Sequence, residues 1–106
     1  MRPLRLMADY QCYPLWEAGE AIGNVDPRSL DISSDLADAL IAWGNEYTAM
    51  LNWEDPASSG FADEATAEAW VLAGGLLASR LRDEGIVVHY FYEGGKPAGQ
   101  LVARTE

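Results

Sequence analysis

Residues 63–85 read DEATAEAWVLAGGLLASRLRDEG, and their spacing decides the fold class of the chain. Asp63 offers a side-chain acceptor for a helix N-terminus, and Gly85 is the residue type that commonly ends a helix. Between them, apolar side chains recur every three or four residues, which predicts a helix with one buried stripe, running to about Glu84. The stripe consists of Thr66, Trp70, Ala73, Leu77 and Leu81.

The apolar surface of this helix is wider than one stripe requires. Ala69, Leu72 and Leu76 extend it into an arc, so the helix is either covered on two sides or contacts a partner. Gly74 and Gly75 lie in its middle, where they lower the stability of the helix by up to ~2 kcal/mol relative to two alanines. We expect the close approach of another backbone at this pair, or a local kink.

A second amphipathic helix is predicted upstream, over residues 34–52. Its three acidic residues, Asp35, Asp38 and Glu46, fall within about 80° of arc if each residue turns by ~100°. Apolar residues occupy a different side, namely Leu36, Leu40, Trp43, Tyr47, Met50 and Leu51. This helix therefore has an apolar face and an acidic face.

Three strands are predicted outside the helices. Apolar side chains alternate along residues 4–8, as in a half-buried strand, and residues 86–92 form an unbroken apolar and aromatic run. Gly94-Gly95 then predicts a hairpin with a returning strand over residues 100–104. Glycine, proline and asparagine interrupt any period over residues 10–30, which we interpret as a long irregular segment.

These elements predict one α+β domain spanning residues 1–106. Its sheet is small and three-stranded, the elements follow the order strand, helix, helix, strand, strand, and two antiparallel helices cover one face of the sheet. One core is expected, with contributions from Trp43, Tyr47, Trp70, Leu77, Val88 and Tyr90.

The charge balance is the most unusual feature of the composition. There are 17 acidic residues against 7 basic ones, for a formal net charge of −10, and residues 31–68 contain no Lys or Arg. Nucleic acids and anionic membranes are bound through Lys and Arg, so neither is an expected partner. A basic protein surface is the expected partner, since opposite charge speeds encounter. The alternative is that the acidity serves solubility alone.

The sequence offers little catalytic chemistry. Cys12 is the only cysteine and His89 the only histidine, which excludes zinc-finger spacings and four-thiolate sites, and we expect no metal or cofactor. A disulfide within the chain is impossible, and Asp9 interrupts the apolar N-terminal stretch. We therefore expect no export segment, no membrane span and a cytoplasmic protein.

Aromatic residues cluster directly after the first strand, in the segment DYQCYPLW over residues 9–16. Asp9, Tyr10, Tyr13 and Trp16 are candidate binding residues, because Tyr and Trp bury a large area in interfaces while losing few rotamers. The structural alternative is that this segment plugs the end of the core.

The residues that resemble a known family form three blocks: Leu6 to Tyr10 with Cys12 and Pro14 to Trp16; Asn24 to Pro27 with Leu30, Ser33 and Trp43; and Leu51-Asn52 with Asp55-Pro56 and Ser59 to Phe61. Together these blocks resemble a family of small, uncharacterised bacterial proteins, over roughly the first two-thirds of the chain. The resemblance implies a bacterial cytoplasmic protein and carries no activity with it. In size and acidity, the chain is similar to immunity proteins that neutralise bacterial toxins.

Two functions from different classes remain. The favoured one is a non-enzymatic binding module, such as an immunity protein or an inhibitor of a basic toxin nuclease, which binds through the candidate residues Asp9, Tyr10, Tyr13, Trp16, Asp35, Asp38 and Glu46. The alternative is a small enzyme that uses Cys12, His89 or clustered carboxylates. The wide apolar arc of the later helix also allows a homodimer.

Overall fold

The computed structural model of the chain describes residues 3–9, 11–17, 23–50, 54, 60–61 and 63–90. They form four strands, two helices and a short 3₁₀ turn. In chain order the elements are β1 (Leu4–Leu6), β2 (Leu15–Glu17), β3 (Asn24–Val25), the 3₁₀ turn (Pro27–Ser29), α1 (Ser34–Ala49), α2 (Glu64–Asp83) and β4 (Val88–Tyr90).

Both predicted helices are present and begin at side-chain caps. The Ser33 hydroxyl accepts a hydrogen bond from the backbone N–H of Leu36, and the Asp63 carboxylate accepts one from the N–H of Thr66. Each bond satisfies one of the N–H groups that have no partner inside the helix. The hydrogen bonds from Thr66 also hold the pKa of Asp63 below its ordinary value.

A carboxylate joins the two helices at one end. Glu84, which follows α2, accepts hydrogen bonds from the backbone N–H of Ser33 at 2.6 Å and from its hydroxyl at 2.8 Å. These bonds hold the pKa of Glu84 below its ordinary value. At the opposite end, the N–H of Gly60 donates to the carbonyl of Met50. The start of α1 thus lies beside the end of α2, and the helices are antiparallel.

The predicted sheet is wrong in its strand count and order. The described residues form a four-stranded mixed sheet in the order β3-β2-β1-β4, in which β1 is antiparallel to β2 and parallel to β4. A parallel neighbour requires a crossover connection, and here α1 and α2 lie in that connection. The strand predicted over residues 100–104 lies outside the described residues, as does the turn before it.

The two unexpected strands come from the segment interpreted as irregular. β2 has three residues and β3 has two, so neither is long enough to show an alternation in the sequence. Their pairing is supported by the side chain of Asn24. It donates to the carbonyls of Tyr13 and Leu15 and accepts from the N–H of Tyr13. A side chain thus supplies hydrogen bonds that a regular strand would make with its backbone.

One hydrophobic cluster joins the strands to both helices. From the sheet it takes inward-facing side chains such as Leu6, Leu15 and Val88. The residues predicted for the core are found there: Trp43, Tyr47, Trp70, Leu77 and Val88 are buried, and Tyr90 packs against them half-buried. The predicted stripe of α2 is rotated, however, because Thr66 is exposed whereas Ala67, Gly74 and Ala78 are buried.

Trp43 of α1 and Trp70 of α2 form the centre of the helix pair. Their rings stack with centroids 4.3 Å apart and planes 3° from parallel. The indole N–H of Trp43 donates to the carbonyl of Trp70 at 2.8 Å, and the indole N–H of Trp70 donates to the carbonyl of Trp43 at 3.1 Å. This reciprocal arrangement satisfies both buried indole groups and fixes the register of the two helices.

Candidate functional site

The exposed side of α1 carries three of the four acidic residues predicted for binding. Asp35, Asp38 and Glu46 are exposed, while the opposite side of the helix is buried in the core. We call these three residues the acidic face. Asp35 lies in the first turn of α1, where the helix dipole stabilises a negative charge.

The three carboxylates are not equivalent. Asp38 pairs with Arg28 of the 3₁₀ turn at 3.1 Å, an exposed ion pair that the sequence pattern did not indicate. Asp35 and Glu46 form no ion pair with a described residue. Glu46 also lies in the last turn of α1, where the helix dipole disfavours a negative charge and no basic residue is present. The helix itself therefore gains nothing from the charge of Glu46.

The segment after β1 lies beside a different flank of α1. The N–H of Gln11 donates to the Thr48 hydroxyl of α1 at 2.9 Å, and Tyr13 is 40% exposed. The indole N–H of Trp16 instead donates to the carbonyl of Met7, so this side chain helps to hold β1 and β2 together. Asp9, three residues after the end of β1, is exposed.

The four residues predicted from this segment thus have different surroundings. Tyr13 and Asp9 are accessible to a partner, and Trp16 is half-buried. Tyr10 lies outside the described residues. Tyr13 belongs to the segment that lies beside a different flank of α1 from the acidic face.

Cys12 and His89, the pair on which the enzymatic alternative depends, lie in different cavities. Cys12 lines a cavity between the segment after β1 and α1, together with Tyr13, Asn24 and Thr48. His89 is exposed on β4 and lines a second cavity near Arg82. The structure does not bring the thiol and the imidazole into one site.

The described carboxylates likewise form no candidate metal site. Among the residues that the structure describes, no three His, Cys, Asp or Glu side chains are grouped so that they could hold a metal ion. Neither described helix is long and apolar enough to cross a membrane.

A groove lies between α1 and α2 that the sequence pattern did not predict. Its lining is mostly apolar: Ala39, Ala42, Trp43 and Glu46 from α1, and Ala73, Leu76, Leu77 and Arg80 from α2. We call it the interhelical groove. Its one indication in the sequence is the wide apolar arc of α2, of which Leu72 and Leu76 are 70% and 68% exposed.

Comparison with known proteins identifies the family of the chain. A search of curated proteins gives no match to the chain. A family model described as "Serratia CdiI immunity protein-like" matches residues 2–93, and so includes every described element. This match agrees with the likeness to immunity proteins expected from the sequence. The chain belongs to the Serratia CdiI immunity protein-like family.

Proposed function

We propose that the chain is an immunity protein that binds a toxin domain and blocks it by binding alone. The family match over residues 2–93 is the observation that carries this proposal. An immunity protein needs an exposed recognition surface on a stable scaffold. The acidic face supplies such a surface, and the stacked Trp43–Trp70 pair holds its helix, α1, against α2.

The partner in this proposal is basic. A net charge of −10 attracts a cationic surface over several ångströms, and a toxin that cleaves nucleic acid needs such a surface to bind phosphates. Asp35, Asp38 and Glu46 would meet that surface, with Tyr13 and Asp9 as contacts at the edge. The cytoplasm would be the compartment in which such a complex protects the cell.

The two alternatives have less support. An enzyme built on Cys12 and His89 would require two side chains that line different cavities to act together. A homodimer is favoured by the exposure of Leu72 and Leu76, yet two chains of charge −10 repel each other.

The proposal is tested by screening the genes next to that of this chain for a product that stops growth, and by using the toxin domain so identified in a form inactivated by substitution. Isothermal titration should give a one-to-one complex, and expression of the chain should restore growth to cells that produce the active toxin. A toxin domain from an unrelated system serves as the control and should not bind. Absence of binding to the neighbouring toxin domain, together with absence of protection, would overturn the proposal.

A further inference from the structure

The interhelical groove is an apolar surface that no described residue covers. Leu76 lines it and Leu72 lies one helical turn earlier on α2, and these side chains are 68% and 70% exposed. Large apolar side chains that lie together on a surface are uncommon unless they contact something. The groove holds about 430 Å³, which is within the range of surface pockets that bind ligands.

The groove has the geometry of a site for a third helix. Ala39, Ala42 and Glu46 line one wall, and Ala73, Leu76 and Arg80 line the other, so each helix contributes positions i, i+3 and i+7. Each row is about 10 Å long at 1.5 Å per residue. Small alanines on both walls allow an approaching helix to lie close to the two backbones, with its apolar side chains at the matching spacing.

The charges around the groove favour a basic occupant. Glu46 lines the α1 wall and Asp35 lies 11 residues earlier on the same helix, about 16 Å away. Neither carboxylate has an ion pair with a described residue. Arg80, on the opposite wall, lies near Glu84, whose pKa its charge helps to lower. The α1 wall of the groove therefore presents the charge of Glu46, with the charge of Asp35 further along the helix, and neither is paired with a described residue.

The same charges argue against a second copy of the chain as the occupant. Two copies would bring together two acidic rims and two molecules of net charge −10. Like charges that meet in an interface raise its free energy, so apolar contact would have to overcome this repulsion. A basic partner gains from the apolar groove and from its rim together.

We propose that the interhelical groove anchors the toxin domain by taking an amphipathic helix with apolar side chains on one face and Lys or Arg at its borders. This inference rests on the proposed immunity function and assigns the surface that performs it. Leu72 and Leu76 supply apolar contact, Ala39, Ala42 and Ala73 allow close approach, and Glu46 and Asp35 bind the flanking cations.

The test uses the full chain and the inactivated toxin domain identified among the products of the neighbouring genes. Dissociation constants are measured by isothermal titration for the wild type, Leu72→Ala, Leu76→Ala and the double variant. Val87→Ala is the matched control, because Val87 is also apolar and 52% exposed but lies before β4. Thermal midpoints should change little in all these variants, since the replaced side chains are exposed.

We expect each single leucine variant to bind about tenfold more weakly or worse, and the double variant to lose still more affinity. Val87→Ala should stay within about threefold of the wild type. Glu46→Gln should weaken binding mainly at low salt, because it removes a rim charge.

Three results would overturn the inference, and they are distinguishable. If the wild type binds and the double leucine variant binds equally well, the groove is not the anchor, although the immunity function stands. If the wild type does not bind, the immunity function fails and this inference fails with it. If sedimentation shows a wild-type dimer that becomes a monomer in the double variant, the groove is occupied by a second copy of the chain.

Discussion

Gly74 lies at the most crowded point between α2 and the aromatic core. A Cβ atom at this position would come within 2.5 Å of Cζ2 of Trp43 and would also collide with the Tyr90 hydroxyl. Neither neighbour can move freely, because Trp43 is stacked and hydrogen-bonded to Trp70 and the Tyr90 hydroxyl donates to the carbonyl of Val71. Gly75 is different, since the nearest atom to its Cβ would be 3.9 Å away.

The two glycines should therefore respond to alanine in opposite directions. Gly74→Ala should lower the free energy of unfolding by about 1–2 kcal/mol, because overpacking costs more than the gain in helix propensity. Gly75→Ala should raise it by up to ~1 kcal/mol, since only the propensity changes. Urea unfolding of both variants measures these shifts. A Gly74→Ala protein at least as stable as the wild type would show that the helix and the rings are packed more loosely than described.

The glycine pair also shows how far sequence reasoning extends at this scale. A Gly-Gly pair inside a helix indicates close approach, and that much was predictable. The expected neighbour was a backbone, whereas the structure places aromatic side chains there, and it assigns the constraint to Gly74 alone. A propensity scale treats the two positions alike, because the difference arises from Tyr90 and Trp43, which are distant in sequence.

At the scale of elements, the bonds between Glu84 and Ser33 tie the end of α2 to the start of α1. The carboxylate accepts two hydrogen bonds and lies where the dipole of α1 favours a negative charge. Its pKa is lower in the folded chain than in the unfolded chain, so its stabilising effect is present above the ordinary value of about 4.5 and is lost as the pH falls through the folded pKa.

A pH series tests this link between the helices. The thermal midpoint of the wild type should fall as the pH is lowered from neutral to below about 4, and that of Glu84→Gln should start lower and fall less steeply. Asp83→Asn is the matched control, because it removes a neighbouring charge without touching the bonds to Ser33. Equal slopes for the wild type and Glu84→Gln would contradict the proposed role of this carboxylate.

Sequence reasoning found the helices and missed half of the sheet for a physical reason. A helix of 16 or 20 residues repeats its apolar pattern several times, so α1 and α2 were predictable to within a few residues. β2 and β3 are three and two residues long, and the Asn24 side chain, whose hydrogen bonds reach back 9 and 11 residues, supports their backbone pairing. A local sequence pattern does not indicate such a contact. The pairing of β1 with β4 is equally non-local, because both helices lie between these strands in the chain.

For the whole molecule, charge is the property that the sequence describes best. The net charge of −10 follows from the composition, and the acidic face was predicted from the helical spacing of its residues. In the structure α1 presents Asp35, Asp38 and Glu46 to solvent. What the sequence could not supply was the ion pair of Asp38 with Arg28, which depends on how the 3₁₀ turn docks. Nor could it combine the apolar arc of α2 with Glu46 into one groove, since that requires the packing of two helices.

These differences determine how recognition through the acidic face should be tested. Asp35→Asn with Glu46→Gln removes the two carboxylates that have no ion pair with a described residue, whereas Asp38→Asn also frees the charge of Arg28 and belongs in a separate variant. Asp31→Asn with Glu64→Gln removes the same number of exposed charges from outside the acidic face, and so controls for net charge.

The most direct test of recognition through the acidic face is the association rate of the chain with the toxin domain identified among its neighbouring genes, measured by stopped flow against ionic strength. The wild-type rate should fall steeply as salt rises, because screening removes long-range attraction. The Asp35→Asn/Glu46→Gln variant should associate more slowly at low salt with a shallower slope and converge with the wild type at high salt. Its thermal midpoint should stay close to that of the wild type, because the helix dipole favours the charge of Asp35 and disfavours that of Glu46. The charge-matched control should stay closer to the wild type. An unchanged rate and an unchanged salt slope in the Asp35→Asn/Glu46→Gln variant would contradict recognition of a basic toxin through the acidic face.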